Sequence, residues 1–196
     1  MAGLTVIVMA SGFSRRFGKE NKLLIPLGSM TLIERTLQSI QQANIGHIIL
    51  VTQYEEVANL YAHNPLVKVV MNPEAKAGIS ASIRLGIKAS TSSKGFMFVP
   101  ADQIFLKPIT LKALAQKHDE KPDKIIIPVY QGIEGSPKIF PVLLKPQLLA
   151  LTGDRGGRDI IHENQTLIEL HHFDDIIDHL DIDTYDSYQR IREDFK

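Results

Sequence analysis

Short apolar runs alternate with amphipathic segments along roughly the first 120 residues of the chain. Residues 4–9 are almost all Val, Ile and Leu and end in a Gly/Ser loop, and residues 67–71 stop at Asn72-Pro73, a pattern that is typical of strands buried on both faces. The sequence therefore predicts five strands, over residues 4–9, 47–52, 67–71, 96–99 and 124–129.

The segments between these strands carry apolar residues at helical spacing. In residues 31–43, Ile33, Leu37 and Ile40 lie on one stripe of a helix. Further helices are predicted over residues 55–61, 79–89 and 108–117. Strands that alternate with helices indicate βαβ units, so we expect an α/β, Rossmann-like fold with a mostly parallel central sheet and helices on both faces.

The last third of the chain is less regular. Its pattern predicts strands over 139–144, 167–170 and 176–182, and helices over 157–163 and 183–194. The length favours a single domain over residues 1–196. Within it, about residues 1–120 form the regular half and about 121–196 an extension that we expect to complete a substrate site.

The charge and cysteine counts exclude several classes of protein. The chain has 196 residues, with 22 Lys and Arg against 22 Asp and Glu, and no Cys. Without a basic excess, a general binder of nucleic acid or membrane surfaces is disfavoured, and without Cys there is no disulfide or thiolate metal site. No stretch has the form of a membrane span or a secretory signal, so we expect a soluble cytoplasmic protein.

In open α/β sheets, ligands bind beyond the carboxyl ends of the strands, which makes the loops after the strands the candidate sites. The loop over residues 10–22 holds two glycines, two arginines and two lysines. Small residues let backbone amides approach phosphates, and the cations neutralise them. The loop matches neither a Walker A loop nor a G-x-G-x-x-G fingerprint, and its composition alone fits a plain turn with surface charges equally well.

Other strand ends and helix starts carry further candidates. Asp102 follows the fourth predicted strand and Asp183 the last one, where a carboxylate suits either a divalent cation or a turn or cap position. Serines at the start of the predicted helix 79–89 suit a base or a phosphate, or they cap the helix. The glycine-rich loops 132–137 and 153–158 are typical of substrate loops or of ordinary turns.

Taken together, these segments resemble one family. Residues 10–18, A-S-G-F-S-R-R-F-G, and residues 22–27, K-L-L-I-P-L, are similar to the nucleotidyltransferase opening L-A-A-G-x-S-x-R-M-G…K-L-L-x-P-L. Further matching segments follow in family order at 78–86, 101–103, 135–137, 153–156 and 181–184. Their order across the chain resembles the MobA-like NTP transferases, and within them the molybdenum cofactor cytidylyltransferase type.

The resemblance implies a fold of the nucleotide-diphospho-sugar transferase type and a reaction. A nucleoside monophosphate, CMP from CTP, would move to the terminal phosphate of the molybdenum cofactor (molybdopterin) with release of pyrophosphate, in the presence of Mg²⁺ or Mn²⁺. The first half of the domain would bind the nucleotide and the second half the acceptor. A molybdenum hydroxylase would be the client, and neither nucleic acid nor a membrane is an expected partner.

The resemblance also implies the roles of individual residues. Lys22, Arg16 and Asp102 would be catalytic, and Asp102 and Asp183 would hold the metal. The implied nucleotide-binding residues are Ala10, Ser11, Gly12, Phe13, Ser14, Arg16, Lys22, Asn72, Ser80 and Ser82. The implied second-substrate residues are Gly135, Ser136, Pro137, Asp154 and Arg158.

Four residues differ from the family pattern: Ser11 replaces Ala or Gly, Ile104 replaces Pro, Ser136 replaces His, and Tyr185 replaces Pro. Two alternatives remain open beside the cytidylyltransferase. One is a nucleotidyltransferase that uses GTP or acts on a sugar or alcohol phosphate. The other is a non-catalytic chaperone that binds the molybdenum cofactor and delivers it to an enzyme.

Overall fold

A central mixed sheet organises the fold, seen here in a computed structural model that describes residues 3–13, 17, 21–91, 94–174, 182 and 185–192. The strands within those residues are β1 (Leu4–Ala10), β2 (Pro26–Leu27), β3 (Met30–Thr31), β4 (Gly46–Thr52), β5 (Val67–Met71), β6 (Gly95–Pro100), β7 (Ile125–Tyr130), β8 (Ile133–Glu134), β9 (Lys138–Pro141) and β10 (Ile168–Phe173). The helices are α1 (Leu32–Ala43), α2 (Glu55–Tyr61), α3 (Ile79–Ala89), α4 (Pro108–Glu120), α5 (Lys145–Ala150), α6 (Arg158–Glu163) and α7 (Tyr185–Arg192).

The large sheet has the strand order β10-β7-β9-β6-β1-β4-β5, with β8 paired to β7. Parallel pairing joins β1 to both β4 and β6, β4 to β5, and β7 to β10. Strand β9 lies between β6 and β7 and is antiparallel to both. Strands β2 and β3 form a separate small hairpin. The expected α/β, Rossmann-like fold with a mostly parallel sheet is confirmed.

Alternate residues of β1 face two apolar cores, one on each side of the sheet. Val6 and Val8 pack in the core that α1, α2 and α4 cover, whereas Ile7 packs in the core under α3, α5 and α6. Helix α3 lies close to β1 because it carries Gly86, where a Cβ atom would stand 2.5 Å from Cγ2 of Ile7. The helices therefore cover both faces, as the alternation of strands and helices predicts.

Most elements lie where the sequence pattern predicts them, with end positions that differ by at most three residues. The prediction of one strand over 139–144 is wrong: β9 ends at Pro141, and the chain continues as a 3-10 helix (Val142–Leu144) into α5. Pro141 has no N–H to extend a ladder, and Pro146 suits the first turn of a helix. The strand predicted over 176–182 falls outside the described residues except for Ile182, which is not in a strand.

The pattern also missed α5 and the β2–β3 hairpin, both of which are too short to show a period.

Helix α1 begins as the sequence suggests, because Thr31 and Glu34 form a reciprocal capping box at its first turn. Over the described part of the chain, no helix is long and apolar enough to cross a membrane.

His118 lies at the contact between α4 and the sheet, with 1% of its surface exposed. Its ring fills the space beside Gly95, where a Cβ atom would stand 2.6 Å from Nε2. Burial lowers the pKa of His118 below its ordinary value, although the backbone of Lys94 and the carboxylate of Asp119 favour the protonated form. Burial therefore favours the neutral imidazole in the folded protein.

We expect the free energy of unfolding to depend on His118 at mildly acidic pH. Because the folded pKa is lowered, this contribution is fully present above the unfolded pKa of about 6.5 and is lost as pH falls toward the folded value. Urea unfolding between pH 8 and about pH 5 should show a smaller pH slope in His118→Leu than in the wild type. His171, whose pKa burial also lowers, keeps its share of the slope in this variant. A wild-type slope in His118→Leu would contradict this assignment.

Candidate functional site

A cleft of about 640 Å³ opens at the carboxyl ends of β1 and β6 and at the start of α3. This is the edge of the sheet where parallel α/β folds bind ligands. Its walls come from the loop after β1, from the segments around 75–82 and 100–102, and from the loop that carries Asp154. The described lining residues are Met9, Ser11, Gly12, Phe13, Phe17, Lys22, Ala75, Lys76, Gly78, Ile79, Ser82, Pro100, Asp102 and Asp154.

An ion pair lies in this cleft. Nζ of Lys22 donates to Oδ2 of Asp102 at 2.6 Å, and the two residues are 80 positions apart in sequence. Lys22 is 8% exposed, and a cation so far from water needs an opposite charge close by. The carboxylate of Asp102, which is more accessible, supplies it. The pair therefore sets a positive and a negative group side by side at the cleft wall.

Local structure holds Lys22 in place at the start of a 3-10 helix (Lys22–Leu24). Oδ1 of Asn21 accepts the N–H of Leu23 at 3.1 Å and caps this helix. Leu23 is buried in the core that α1, α2 and α4 cover, and Ile25 in a third, smaller apolar cluster. The ring of Phe17 lies on another side of the ammonium group, with Nζ 5.7 Å from the ring centroid.

The first turn of the loop after β1 is held by residues that follow β4. Nε2 of Gln53 donates to the carbonyl of Ser11 at 2.8 Å, and the hydroxyl of Tyr54 donates to the carbonyl of Gly12 at 2.6 Å. Among the described residues, no atom would lie within 4 Å of a Cβ atom at Gly12. Packing against the described residues therefore does not require glycine there, and Gly12 lines the cleft.

The opposite wall joins the two halves of the chain. Oδ1 of Asp154 accepts the N–H of Ile79 at 2.9 Å, so a residue 75 positions away caps the start of α3. The carbonyl of Gly153 accepts the N–H of Ser80 at 3.2 Å. Gly78 has φ +90°, and a Cβ atom there would stand 2.6 Å from the backbone of Gly153. Glycine at 78 is thus what allows this loop to lie against α3.

The polar side chains expected to bind the nucleotide are only partly at the surface of the cleft. Ser82 lines it, and its Oγ accepts from Nδ2 of Asn72 at 3.1 Å. Asn72 itself is buried, and its Oδ1 accepts the N–H of Glu74. Ser80 is fully buried, and its Oγ accepts from Arg84 at 3.2 Å. Ala10 lies in the core, so its side chain faces away from the cleft lining.

The structure places the expected second-substrate residues in two groups. Asp154 lines the cleft, whereas Gly135, Ser136 and Pro137 are not among its lining residues. The carbonyl of Ser136 accepts from Gln103 at 3.5 Å and from the hydroxyl of Tyr130 at 3.3 Å. These bonds make the segment a neighbour of the Asp102 loop.

Arg158 is exposed at the first residue of α6 and acts electrostatically on Lys138. Burial lowers the pKa of Lys138, the carboxylate of Glu134 raises it, and Arg158 lowers it further. Nζ of Lys138 donates to the carbonyl of Gly135 at 2.6 Å. Two cations thus lie near the segment that was expected to face the acceptor.

Three of the expected residues, Ser14, Arg16 and Asp183, lie outside the described residues. Within the described ranges no three His, Asp or Glu side chains gather in one place. Asp102 is still a hard oxygen donor at the cleft wall, and Mg²⁺ is commonly held by one or two carboxylates together with substrate phosphates. The donor set at this wall therefore fits a divalent cation that arrives with a phosphate ligand.

Sequence reasoning missed several residues of this site. Lys76 lines the cleft as a second cation, and Gln53 and Tyr54 hold the Gly12 turn. Gln53 and Tyr54 directly follow a parallel strand, which is a signal that the sequence contains. The capping of α3 by Asp154 has no local signal, because the two partners are far apart in the chain.

Comparison with known proteins adds to this geometry. Residues 6–168 match the family model of the MobA-like NTP transferase domain. The molybdenum cofactor cytidylyltransferase of Escherichia coli is 25% identical over 98% of this chain and 97% of that protein. The nicotine blue oxidoreductase of Paenarthrobacter nicotinovorans is 22% identical over 96% of each. The solved structure of Rv0371c from Mycobacterium tuberculosis in complex with manganese superposes with a TM-score of 0.79, at 26% identity over 98% of this chain and 99% of that one.

Two glycines of the cleft should respond differently to substitution. Gly78→Ala places a methyl group against the backbone of Gly153 at a positive φ, so we expect a loss of about 1–3 kcal/mol or more in the free energy of unfolding. In Gly12→Ala the new methyl group meets no atom of the described residues within 4 Å, so we expect the free energy of unfolding to change by less than about 0.5 kcal/mol. Chemical denaturation of the two variants and the wild type measures both. Equal losses would show that the 153–154 loop does not pack on Gly78.

Proposed function

The chain belongs to the MobA-like NTP transferases, a family of nucleotidyltransferases, and we propose that it transfers CMP from CTP to the terminal phosphate of the molybdenum cofactor. The observation that carries the proposal is the buried Lys22 beside Asp102 in a cleft that Gly12 also lines. The full-length similarity to a molybdenum cofactor cytidylyltransferase supports the choice of acceptor and of base.

The proposed reaction is an in-line displacement at phosphorus. A terminal phosphate oxygen of the pterin cofactor forms a bond to the α-phosphorus of CTP, while the bond from that phosphorus to the bridging oxygen of the β-phosphate breaks. Pyrophosphate leaves with the electron pair. Such a transfer needs positioned substrates and compensation of charge rather than a protein nucleophile.

Lys22 is the residue that we assign to the charge on the α-phosphate. Its ammonium group is fixed between Asp102 and the ring of Phe17, in surroundings largely shielded from water. A donor that is already in place costs no reorganisation when negative charge develops, and it acts more strongly there than in bulk water. Arg16 is assigned to the triphosphate on the resemblance, and Lys76, at the other side of the cleft, is a second cation within reach of it.

Asp102, together with Asp183, is assigned to the divalent cation, Mg²⁺ or Mn²⁺. The cation would neutralise phosphate charge and hold the leaving pyrophosphate. Complex formation between a structural neighbour and manganese supports a divalent metal. The carboxylate of Asp102 faces the cleft from the end of β6, close to the ammonium group of Lys22.

The two substrates would contact different residues of the site. The nucleotide would be held by the turn Ser11–Phe13, by Ser14, and by Ser82, which Asn72 supports. Ser80 is buried and would act only through the start of α3. The acceptor would lie toward Asp154, the segment 135–137 and Arg158, where Lys138 adds positive charge suited to its phosphate.

The alternatives differ in what they predict. A GTP-dependent transferase, or one that acts on a sugar or alcohol phosphate, would use the same ion pair. It would differ in the residues that contact the base or the acceptor. A non-catalytic cofactor chaperone has no need of a buried lysine facing a carboxylate. One similar protein is named an oxidoreductase, but the described cleft is lined by groups suited to phosphate and metal.

The deciding experiment measures pyrophosphate release from CTP, GTP, ATP and UTP, each with Mg²⁺ or Mn²⁺, and each with and without molybdenum cofactor. We expect release with CTP that depends on both metal and cofactor. Release with GTP alone would contradict the choice of base, and no release in any combination would contradict the enzyme assignment.

Gly12→Ala should weaken CTP binding, measured by calorimetry, although it leaves stability unchanged, because the new methyl group takes the space assigned to the nucleotide.

Lys22→Ala should lower kcat by about two to three orders of magnitude, the effect of removing one preorganised donor. Steady-state kinetics with CTP separate the effects on kcat and KM. A rise in KM at constant kcat would mean that Lys22 binds the ground state and the transition state equally. Lys112→Ala, an exposed lysine on α4, is the control and should keep wild-type kinetics.

A further inference from the structure

A small apolar cluster lies beside the cleft, separate from the two cores that cover the faces of the sheet. We call it the α7 cluster, since the last described helix contributes to it. Its buried members are Phe17, Ile25, Leu27, Leu32, Ile104, Ile182 and Tyr188. Four of these residues stand within three positions of a residue assigned to the reaction: Phe17 of Arg16, Ile25 of Lys22, Ile104 of Asp102, and Ile182 of Asp183.

Phe17 connects this cluster to the ion pair. It is 7% exposed and lines the cleft. One side of the residue faces Lys22, whose Nζ lies 5.7 Å from the ring centroid. It also meets the ring of Tyr188 edge to face, with centroids 6.5 Å apart and an interplanar angle of 60°. Phe17 therefore spans the distance between α7 and the ammonium group.

Tyr188 makes a second contact with the same segment. Its hydroxyl donates to the carbonyl of Pro26 at 2.7 Å, a bond between residues 162 positions apart. Phe17 precedes Lys22 in the chain and Pro26 follows it, so Tyr188 touches the segment on both sides of the lysine. Tyr188 itself is 4% exposed and does not line the cleft.

We propose that Tyr188 is a positioning residue that holds Lys22 in place through Phe17 and Pro26. A lysine side chain has a long flexible stem, and a donor must be held before the reaction if it is to stabilise developing charge. Asp102 fixes one side of the ammonium group and Phe17 another, and Tyr188 holds Phe17. The kinetic part of this inference rests on the proposed function, whereas the positioning of Lys22 does not.

The test compares Tyr188→Leu and Tyr188→Phe with the wild type. The first removes both contacts, and the second keeps the ring while removing the bond to Pro26. Tyr61→Leu is the matched control, because Tyr61 is equally buried, at 7% exposed, but packs in the core under α2. Circular dichroism and thermal unfolding confirm that each variant is folded at the assay temperature.

One readout is independent of activity. An amine-reactive reagent followed by peptide mass spectrometry measures how accessible Lys22 is in each protein. We expect labelling of Lys22 to rise at least several-fold in Tyr188→Leu, to rise less in Tyr188→Phe, and to stay at the wild-type level in Tyr61→Leu. Wild-type labelling in folded Tyr188→Leu would overturn the proposal. If Tyr188→Leu does not fold, Phe17→Leu decides in its place with the same expected rise.

The second readout is kinetic. We expect Tyr188→Leu to lower kcat by about tenfold to a hundredfold, the scale of a small misplacement of a reacting group, with little change in the KM for CTP. Tyr61→Leu should keep the wild-type kcat. A wild-type kcat in Tyr188→Leu would overturn the positioning role. If the wild type releases no pyrophosphate while Lys22 labelling rises in Tyr188→Leu, the proposed function fails and the structural inference stands.

Discussion

The parallel pairing of β1 on both of its edges is the constraint from which the rest of the site follows. Because β1 runs alongside β4 and β6 in the same direction, Ala10 ends opposite Thr52 and Met9 opposite Pro100. The loops after all three strands are therefore delivered to one edge of the sheet. Residues that are far apart in the chain, such as Lys22 and Asp102, therefore meet there. Neither β1 nor β6 carries a charged residue itself.

The second half of the chain takes part in this site rather than standing beside it. Asp154 caps the start of α3, and the carbonyl of Ser136 accepts from the Gln103 side chain that follows Asp102. From the end of the chain, Tyr188 reaches the carbonyl of Pro26. Contacts from three separate segments thus reach the start of α3, the loop after β6 and the segment after β1.

The sequence alone predicts the periodic part of the fold well, since β1, β4, β5 and α3 have strong local patterns. It does not predict that β9 enters the sheet antiparallel between β6 and β7, because that placement depends on contacts with distant strands. The same limit applies to the site. The positions of its loops can be predicted because they follow predicted strands, whereas the Lys22–Asp102 pair and the capping of α3 by Asp154 depend on tertiary packing. The individual roles implied by the family resemblance stay predictions.

The short Lys22–Asp102 contact has a consequence for the order of binding events. A cation that coordinates Oδ2 of Asp102 competes with the ammonium group for the same oxygen, and an anion that approaches Lys22 competes with the carboxylate. Either ligand alone would leave one charge of the pair without its partner, at a cost set by the burial of Lys22, which is 8% exposed. A metal and a polyphosphate that arrive together would give both charges new partners at once. With the roles proposed for Lys22 and Asp102, the resting ion pair would therefore disfavour a bare metal ion or a lone anion and favour the two as a complex.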